Sequence, residues 1–235
     1  MYHDIVTPSD KGSGFQNESA FQYKVDENRF EEQVKSLKGK NIVFTFDDGG
    51  VSFYTKAAPV LEKYGFRGVF FISTSYIGTS GFLTEVQIKE LSNRGHIIGS
   101  HTHTHPDDIS KLSREEVRRE WKQSYDTLVG ILGECVSIAS IPNGNTTSMV
   151  LEEAVNSGFT EIYTSQPTTK VTSYRNHRLI GRYVIHNNMT TQDVVSIATC
   201  RGTQFKMSVK WHILSIIKKI LGSSYKSIKS KVIIK

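Results

Sequence analysis

From residue 41 onward the chain repeats one pattern: a short apolar run, a polar cluster, then a helical stretch. The runs NIVFTF, RGVFFIS, HIIGS, CVSIASI, TEIYTS and RLIGRYVI have the length and the β-branched or aromatic content of buried strands. Two of the intervening helices open on capping boxes, Thr84 with Gln87 and Ser113 with Glu116. The second carries Val117, Trp121, Leu128 and Leu132 at helical spacing, which marks a core face. Gly65, Gly95 and Gly158 fall where helices should stop and strands begin. Strand, helix, strand repeated in this way requires parallel pairing through right-handed crossovers, in an open doubly wound sheet or a barrel. No internal repeat or linker divides the chain, and 235 residues suit a single α/β domain.

The two ends depart from that pattern. The first 40 residues are polar, with Phe15, Phe21 and Tyr23 scattered among them; a helix is predicted after Asp26 as N-cap, with Phe30, Val34 and Leu37 on one face. The net charge of +6 belongs to the other end: residues 201–235 hold nine Lys or Arg and no Asp or Glu, leaving 20 basic and 23 acidic residues and a net charge of −3 before them. A body of that charge excludes a nucleic-acid-binding reading. Within the tail, residues 208–222 are amphipathic: Val209, Ile213, Ile216, Ile217, Ile220 and Leu221 share one arc, while His212, Ser215, Lys218 and Lys219 lie outside it. Such a helix either packs on the barrel, the plainer reading, or lies on an anionic membrane surface. No apolar run of about 18 residues spans a membrane, and no basic start followed by an apolar stretch marks a secretory leader, so the expected location is cytoplasmic, with peripheral membrane contact as the alternative. Cys135 and Cys200 make no disulfide framework and are expected to be buried thiols.

Polar clusters stand directly after five of the strand-like runs: DDGG, HTHTHPDD, PNG, SQP and HNN. In α/β barrels the C-terminal strand ends collect the active site. Adjacent carboxylates such as Asp47 and Asp48 raise each other's pKa, and a cation removes that cost. His101, His103 and His105 alternate just after another strand. On a helical turn His101 faces with His105, on a strand with His103, so two metal-binding registers compete. An Asp-His-His set with an open position suits a catalytic divalent ion, with the remaining aspartate free to act as a base toward water.

The sequence TFDDGG followed by GSHTHTHP resembles the polysaccharide deacetylase family, also called carbohydrate esterase family 4 or the NodB homology domain. The first motif of that family is T-F-D-D-G and the second H-S/T-x-x-H-P, which fits here only with His101 and His105 as ligands. The resemblance extends over roughly residues 15–225 and implies a distorted (β/α) barrel. It divides the chain into an N-terminal extension over 1–40 packing on the barrel, a catalytic domain over 41–200 and a basic C-terminal helix and tail over 201–235. It further implies Asp47 as general base, Asp48, His101 and His105 as metal ligands, and one divalent ion, Zn²⁺ first, with Co²⁺, Mn²⁺ or Ni²⁺ as substitutes. The third motif, R-x-P-F/Y-G, falls on SIPNG: Pro142 and Gly144 match, Ser140 stands in place of the arginine, and the N–H of Asn143 is the expected oxyanion donor. The fourth motif is not recognisable near TEIYTSQP. The fifth places His186 as the acid that protonates the departing amine, with His177 as competitor. Arg182 either lines the cleft or pairs with a carboxylate.

The expected activity is hydrolysis of an acetyl group, N-acetyl first, from a sugar of a glycan or of a lipid- or nucleotide-linked precursor. Its rivals are an amidohydrolase-type site using His101 and His103, a phosphatase with an Asp nucleophile, and a glycan-binding module without activity. The phosphatase is the weaker because its chemistry wants D-x-D, whereas these aspartates are adjacent.

Overall fold

The computed structural model describes residues 1–10 and 12–221, with side chains described as far as residue 217. Its elements in chain order are β1 (Ile5–Val6), α1 (Glu18–Phe21), β2 (Val25–Asp26), α2 (Glu27–Ser36), β3 (Phe44–Phe46), α3 (Ala58–Lys63), β4 (Gly68–Ile72), α4 (Glu85–Asn93), β5 (Ile97–Ser100), α5 (Arg114–Leu132), β6 (Ile138–Ser140), α6 (Ser148–Asn156), β7 (Glu161–Tyr163), β8 (Thr172–Tyr174), β9 (His177–Ile180), α7 (Thr191–Thr199) and α8 (Arg201–Leu221). Seven strands form one sheet in the order β3-β4-β5-β6-β7-β9-β8, parallel throughout except for the β8–β9 hairpin at its edge. The sheet curls into a half-barrel with helices outside.

The helices start where local chemistry tells them to. Both expected capping boxes form, and a third joins Thr190 to Asp193 at the head of α7. Asp26 caps α2 by accepting the Arg29 N–H, and Phe30 and Val34 are fully buried. Trp121 is buried beside Phe159 and donates its indole N–H to the carbonyl of Val150. The aromatic half of the core stacks Phe46, Phe53 and Phe70 behind β3 and β4.

Residues 1–3 act as an extra strand. Tyr2 bridges in parallel to Phe46: its N–H donates to the Thr45 carbonyl and its carbonyl accepts from the Asp47 N–H. The Met1 carbonyl meanwhile accepts from the Ile185 N–H. This segment therefore fills the gap between β3 and the chain that follows β9.

Several expectations need correction. The last strand-like run is broken, because β9 stops at Ile180. At Gly181 the backbone passes so close to the Gln166 carbonyl that a Cβ would sit 2.4 Å from it, and the chain leaves the sheet there. Cys135 and Cys200 are free, as expected, but exposed. Along α8 the apolar arc does not pack on the barrel: Val209, Ile213, Ile216 and Ile217 are exposed. The side chains of Lys218, Lys219, Ile220 and Leu221, and the chain beyond, lie outside the described residues. Among the described residues no helix is long and apolar enough to cross a membrane.

Candidate active site

A cavity of about 210 Å³ opens at the C-terminal ends of the strands. Asp47, Asp48, His101, His105 and Asn143 line it, together with His3, Phe15, Tyr23 and Ser165. The first five were expected from the sequence; His3 and Tyr23 were not.

Asp48, His101 and His105 each bring one ligand atom to a common point, all within 4.8 Å of one another. His101 Nε2 lies 3.5 Å and His105 Nε2 3.4 Å from Asp48 Oδ1. The geometry selects the His101–His105 register. His103 turns away, its Nδ1 bonded to the Thr74 hydroxyl at 2.9 Å. This donor set fits a divalent ion on two observations of its own. The Nδ1–H of His101 donates to the Ser140 carbonyl at 2.9 Å, which fixes the tautomer and leaves Nε2 with its lone pair toward the other ligands. Burial, and then the neighbouring Asp47 charge, push the Asp48 carboxyl well above its ordinary range, a cost that a cation among these three groups relieves. Burial likewise lowers His105, and takes His101 down to about 3, so both imidazoles are neutral donors at pH 7.

The ligand loops are held under strain. Asp48, Thr102 and His105 all have positive φ, at 89°, 65° and 55°. Backbone in that region persists only where its surroundings over-determine it. Glu120 on α5 supplies much of that constraint: its carboxylate accepts the N–H groups of His103 and Thr104 and the Thr104 hydroxyl.

Asp47 is buried yet ionised. Burial pushes its pKa up, but the charge of Arg182 and its hydrogen bonds outweigh that and hold the carboxyl below the usual range. Arg182 Nη1 meets Oδ1 at 2.6 Å and Nη2 meets Oδ2 at 2.8 Å, a bidentate pair. Its guanidinium lies over the rings of Phe71 and Tyr163. Ser140 completes the set, accepting from Arg182 Nη2 at 2.6 Å and donating to Asp47 Oδ2 at 3.1 Å. Position 140, where the motif has an arginine, is here a serine, and an arginine 42 residues later meets both it and Asp47. Of the two roles considered for Arg182, the structure shows the carboxylate pair.

Asn143 adopts φ 56° with its side chain donating to the Asp107 carbonyl, and Pro142 beside it is buried. A Cβ on Gly144 would stand 3.0 Å from Ser165. The two histidines considered for the acid are not among the lining residues. His177 Nδ1 is bonded to the Arg175 carbonyl on the exposed hairpin. His186 packs on Tyr23 with ring centroids 5.0 Å apart, and His3 packs on Tyr23 at 4.5 Å. His3 alone of the pair lines the cavity; its Nδ1 is buried without a hydrogen-bond partner. Burial lowers its pKa to about 4, against the pull of Asp47. The only signal for it in the sequence is a histidine beside an apolar tyrosine in MYHD.

The comparisons with known proteins agree with this geometry. The chain is 31% identical over 132 residues to the peptidoglycan-N-acetylmuramic acid deacetylase PdaA of Bacillus subtilis, a match covering 55% of this chain and 48% of that protein. The chain thus spans about half the length of the curated relatives it matches. Among solved structures it superposes on a polysaccharide deacetylase from Bacillus cereus with a TM-score of 0.71 at 24% identity, over 85% of this chain and 67% of that one. The Streptococcus pyogenes deacetylase PplD gives 0.69 at 23%, over 84% and 96%. These two superpositions establish the shared fold. The sequence itself matches the polysaccharide deacetylase family model over residues 34–162, more than half of its length. The chain belongs to the polysaccharide deacetylase family.

Proposed function

We propose that this protein hydrolyses an acetyl group, N-acetyl in preference to O-acetyl, from a sugar of a glycan or glycan precursor. One observation carries the reading: a buried carboxylate held ionised by Arg182 stands beside a separate Asp-His-His ligand set in one cavity. A base and a ligand set kept apart in this way are what hydrolysis of an unactivated amide requires. Peptidoglycan, chitin and poly-N-acetylglucosamine deacetylases stand among the relatives, which supports an N-acetylated glycan as substrate class.

Asp48, His101 and His105 would hold one divalent ion, Zn²⁺ first, whose charge acidifies water and offsets negative charge on the acetyl oxygen. The chain's own groups do the rest. Asp47 takes the proton of the attacking water; Arg182 and Ser140 keep that carboxylate ionised and fix its orientation. The N–H of Asn143, presented by its left-handed backbone, is a donor for the oxyanion. His3 is better placed than His186 to hand a proton to the departing amine, since it lines the cavity and His186 does not. Phe15 and Tyr23 give the cavity apolar walls on which a sugar face can rest.

Acetate release from a panel of N-acetylhexosamine oligosaccharides, with Asp47→Asn alongside, tests the reading. The variant is expected to keep its metal and to lose on the order of 10²-fold or more in rate. Equal acetate release by both proteins would reduce the site to one of binding only.

A further inference from the structure

Helix α8 inverts the usual arrangement of a surface helix, whose apolar stripe faces the protein. Met207 is half-buried and packs against the core, whereas on the same face Trp211 is half-buried and Leu214 is 40% exposed. On the outer side stand Phe205, 70% exposed, Val209, 41%, Ile213, 53%, and Ile216, 59%. At 3.6 residues per turn these four fall within about 80° of the helical circumference, with Ile217 at one edge. Lys206 and Lys210 flank them along a shared groove. Apolar side chains scattered singly over a surface mean little, but a continuous stripe on one helix marks a contact surface.

Charge identifies what that surface meets. Residues 201–235 carry nine basic and no acidic side chains, on a body whose net charge is −3. Pairing α8 with a second copy of itself would set these cationic segments against each other, a juxtaposition of like charges that opposes association. A bilayer with anionic headgroups answers both features: the headgroup boundary accepts the apolar stripe, and the lipid phosphates accept the lysines.

We propose that α8 lies on the surface of a membrane containing anionic phospholipid, with Phe205, Val209, Ile213 and Ile216 inserted at the headgroup boundary and Lys206 and Lys210 on the phosphates. The helix lies on the bilayer without crossing it.

The test uses the 235-residue chain sedimented with vesicles of phosphatidylcholine alone or with about one-third phosphatidylglycerol. The expected result is pelleting with the anionic vesicles, falling by on the order of tenfold on the neutral ones or at about 0.5 M salt. Two variants separate the components: Phe205→Ser with Ile213→Ser removes insertion, and Lys206→Glu with Lys210→Glu reverses the flanking charge. All four positions are exposed, so thermal unfolding should be unchanged and each pair should weaken pelleting. The proposal is overturned if the wild-type chain stays in the supernatant with anionic vesicles, or if neither pair of substitutions alters binding. It is equally overturned if light scattering shows a dimer that Phe205→Ser with Ile213→Ser converts to monomer while vesicles are ignored, since the stripe would then serve a second copy.

Discussion

Arg182 grips both carboxylate oxygens of Asp47 across 135 residues of chain, at 2.6 and 2.8 Å. The pair is buried and lies over two aromatic rings, so little solvent screens it. Lysine at this position keeps the charge and loses the fork. Arg182→Lys should retain metal content and fold while losing about 10- to 100-fold in kcat, the scale for a group that orients a reacting one. Steady-state kinetics beside metal analysis of the same sample checks this. A fall in KM alone, or a loss of metal, would show that Arg182 does something else.

The three histidines after β5 should behave unequally. His101→Ala and His105→Ala each remove one of three convergent ligands and should abolish metal uptake measured by elemental analysis. His103→Ala should leave uptake nearly intact, because its ring is spent on Thr74. Asp48→Asn should lower metal content and acetate release together, whereas Asp47→Asn lowers release alone. An absolute requirement for His103 would restore the amidohydrolase-type register.

His3 and His186 both pack on the ring of Tyr23 and compete for the role of acid. His3→Ala should slow an N-acetyl substrate by on the order of 10²-fold and an activated ester, whose leaving group needs no proton, far less. His186→Ala should cost less on the amide than His3→Ala. The reverse ranking would return the proton to His186.

His96 gives a pH signature away from the site. Its Nδ1 accepts the Gly68 N–H at 3.0 Å, so its proton is on Nε2, shared with Glu62 at 2.8 Å. Burial lowers its pKa, and Glu62 recovers only part of the shift. A base whose pKa is depressed by folding binds protons more readily when unfolded, so its contribution to stability is complete above about 6.5 and is lost as pH falls below that value. Urea unfolding at pH 8 and pH 5 should show a drop in midpoint for the wild type that is smaller in His96→Gln. An equal drop in both would place the acid sensitivity elsewhere.

What could be read from the sequence was whatever local pattern determines. The alternation of strands and helices, the capping boxes at Thr84 and Ser113 and the N-cap at Asp26 rest on spacings of a few residues, while the Asp48, His101, His105 set was legible through the two motifs that carry the family resemblance. The hairpin joining β8 to β9 escaped because Arg175 and Asn176 both adopt positive φ without the glycine that would announce such a turn. Which carboxylate Arg182 would pair with, and the place of His3, escaped for another reason. Arg182 meets Asp47 across 135 residues of chain, and His3 enters the cavity because Tyr2 pairs beside β3, and no short spacing encodes either placement. The inward expectation for α8 failed because the periodicity gives an apolar face without saying which way it turns.

The stretch that matches the family, residues 34–162, contains all three ligands and Asp47, yet His3, Tyr23 and Arg182 lie outside it on either side. The shared portion therefore holds only part of the cavity's furniture, and the flanks supply the rest: the group that pairs with Asp47, the Tyr23 ring on the cavity wall and the imidazole of His3. An excision that follows the family boundaries would retain the ligands and strip Asp47 of its counter-charge, leaving a carboxylate made for burial with nothing to oppose it.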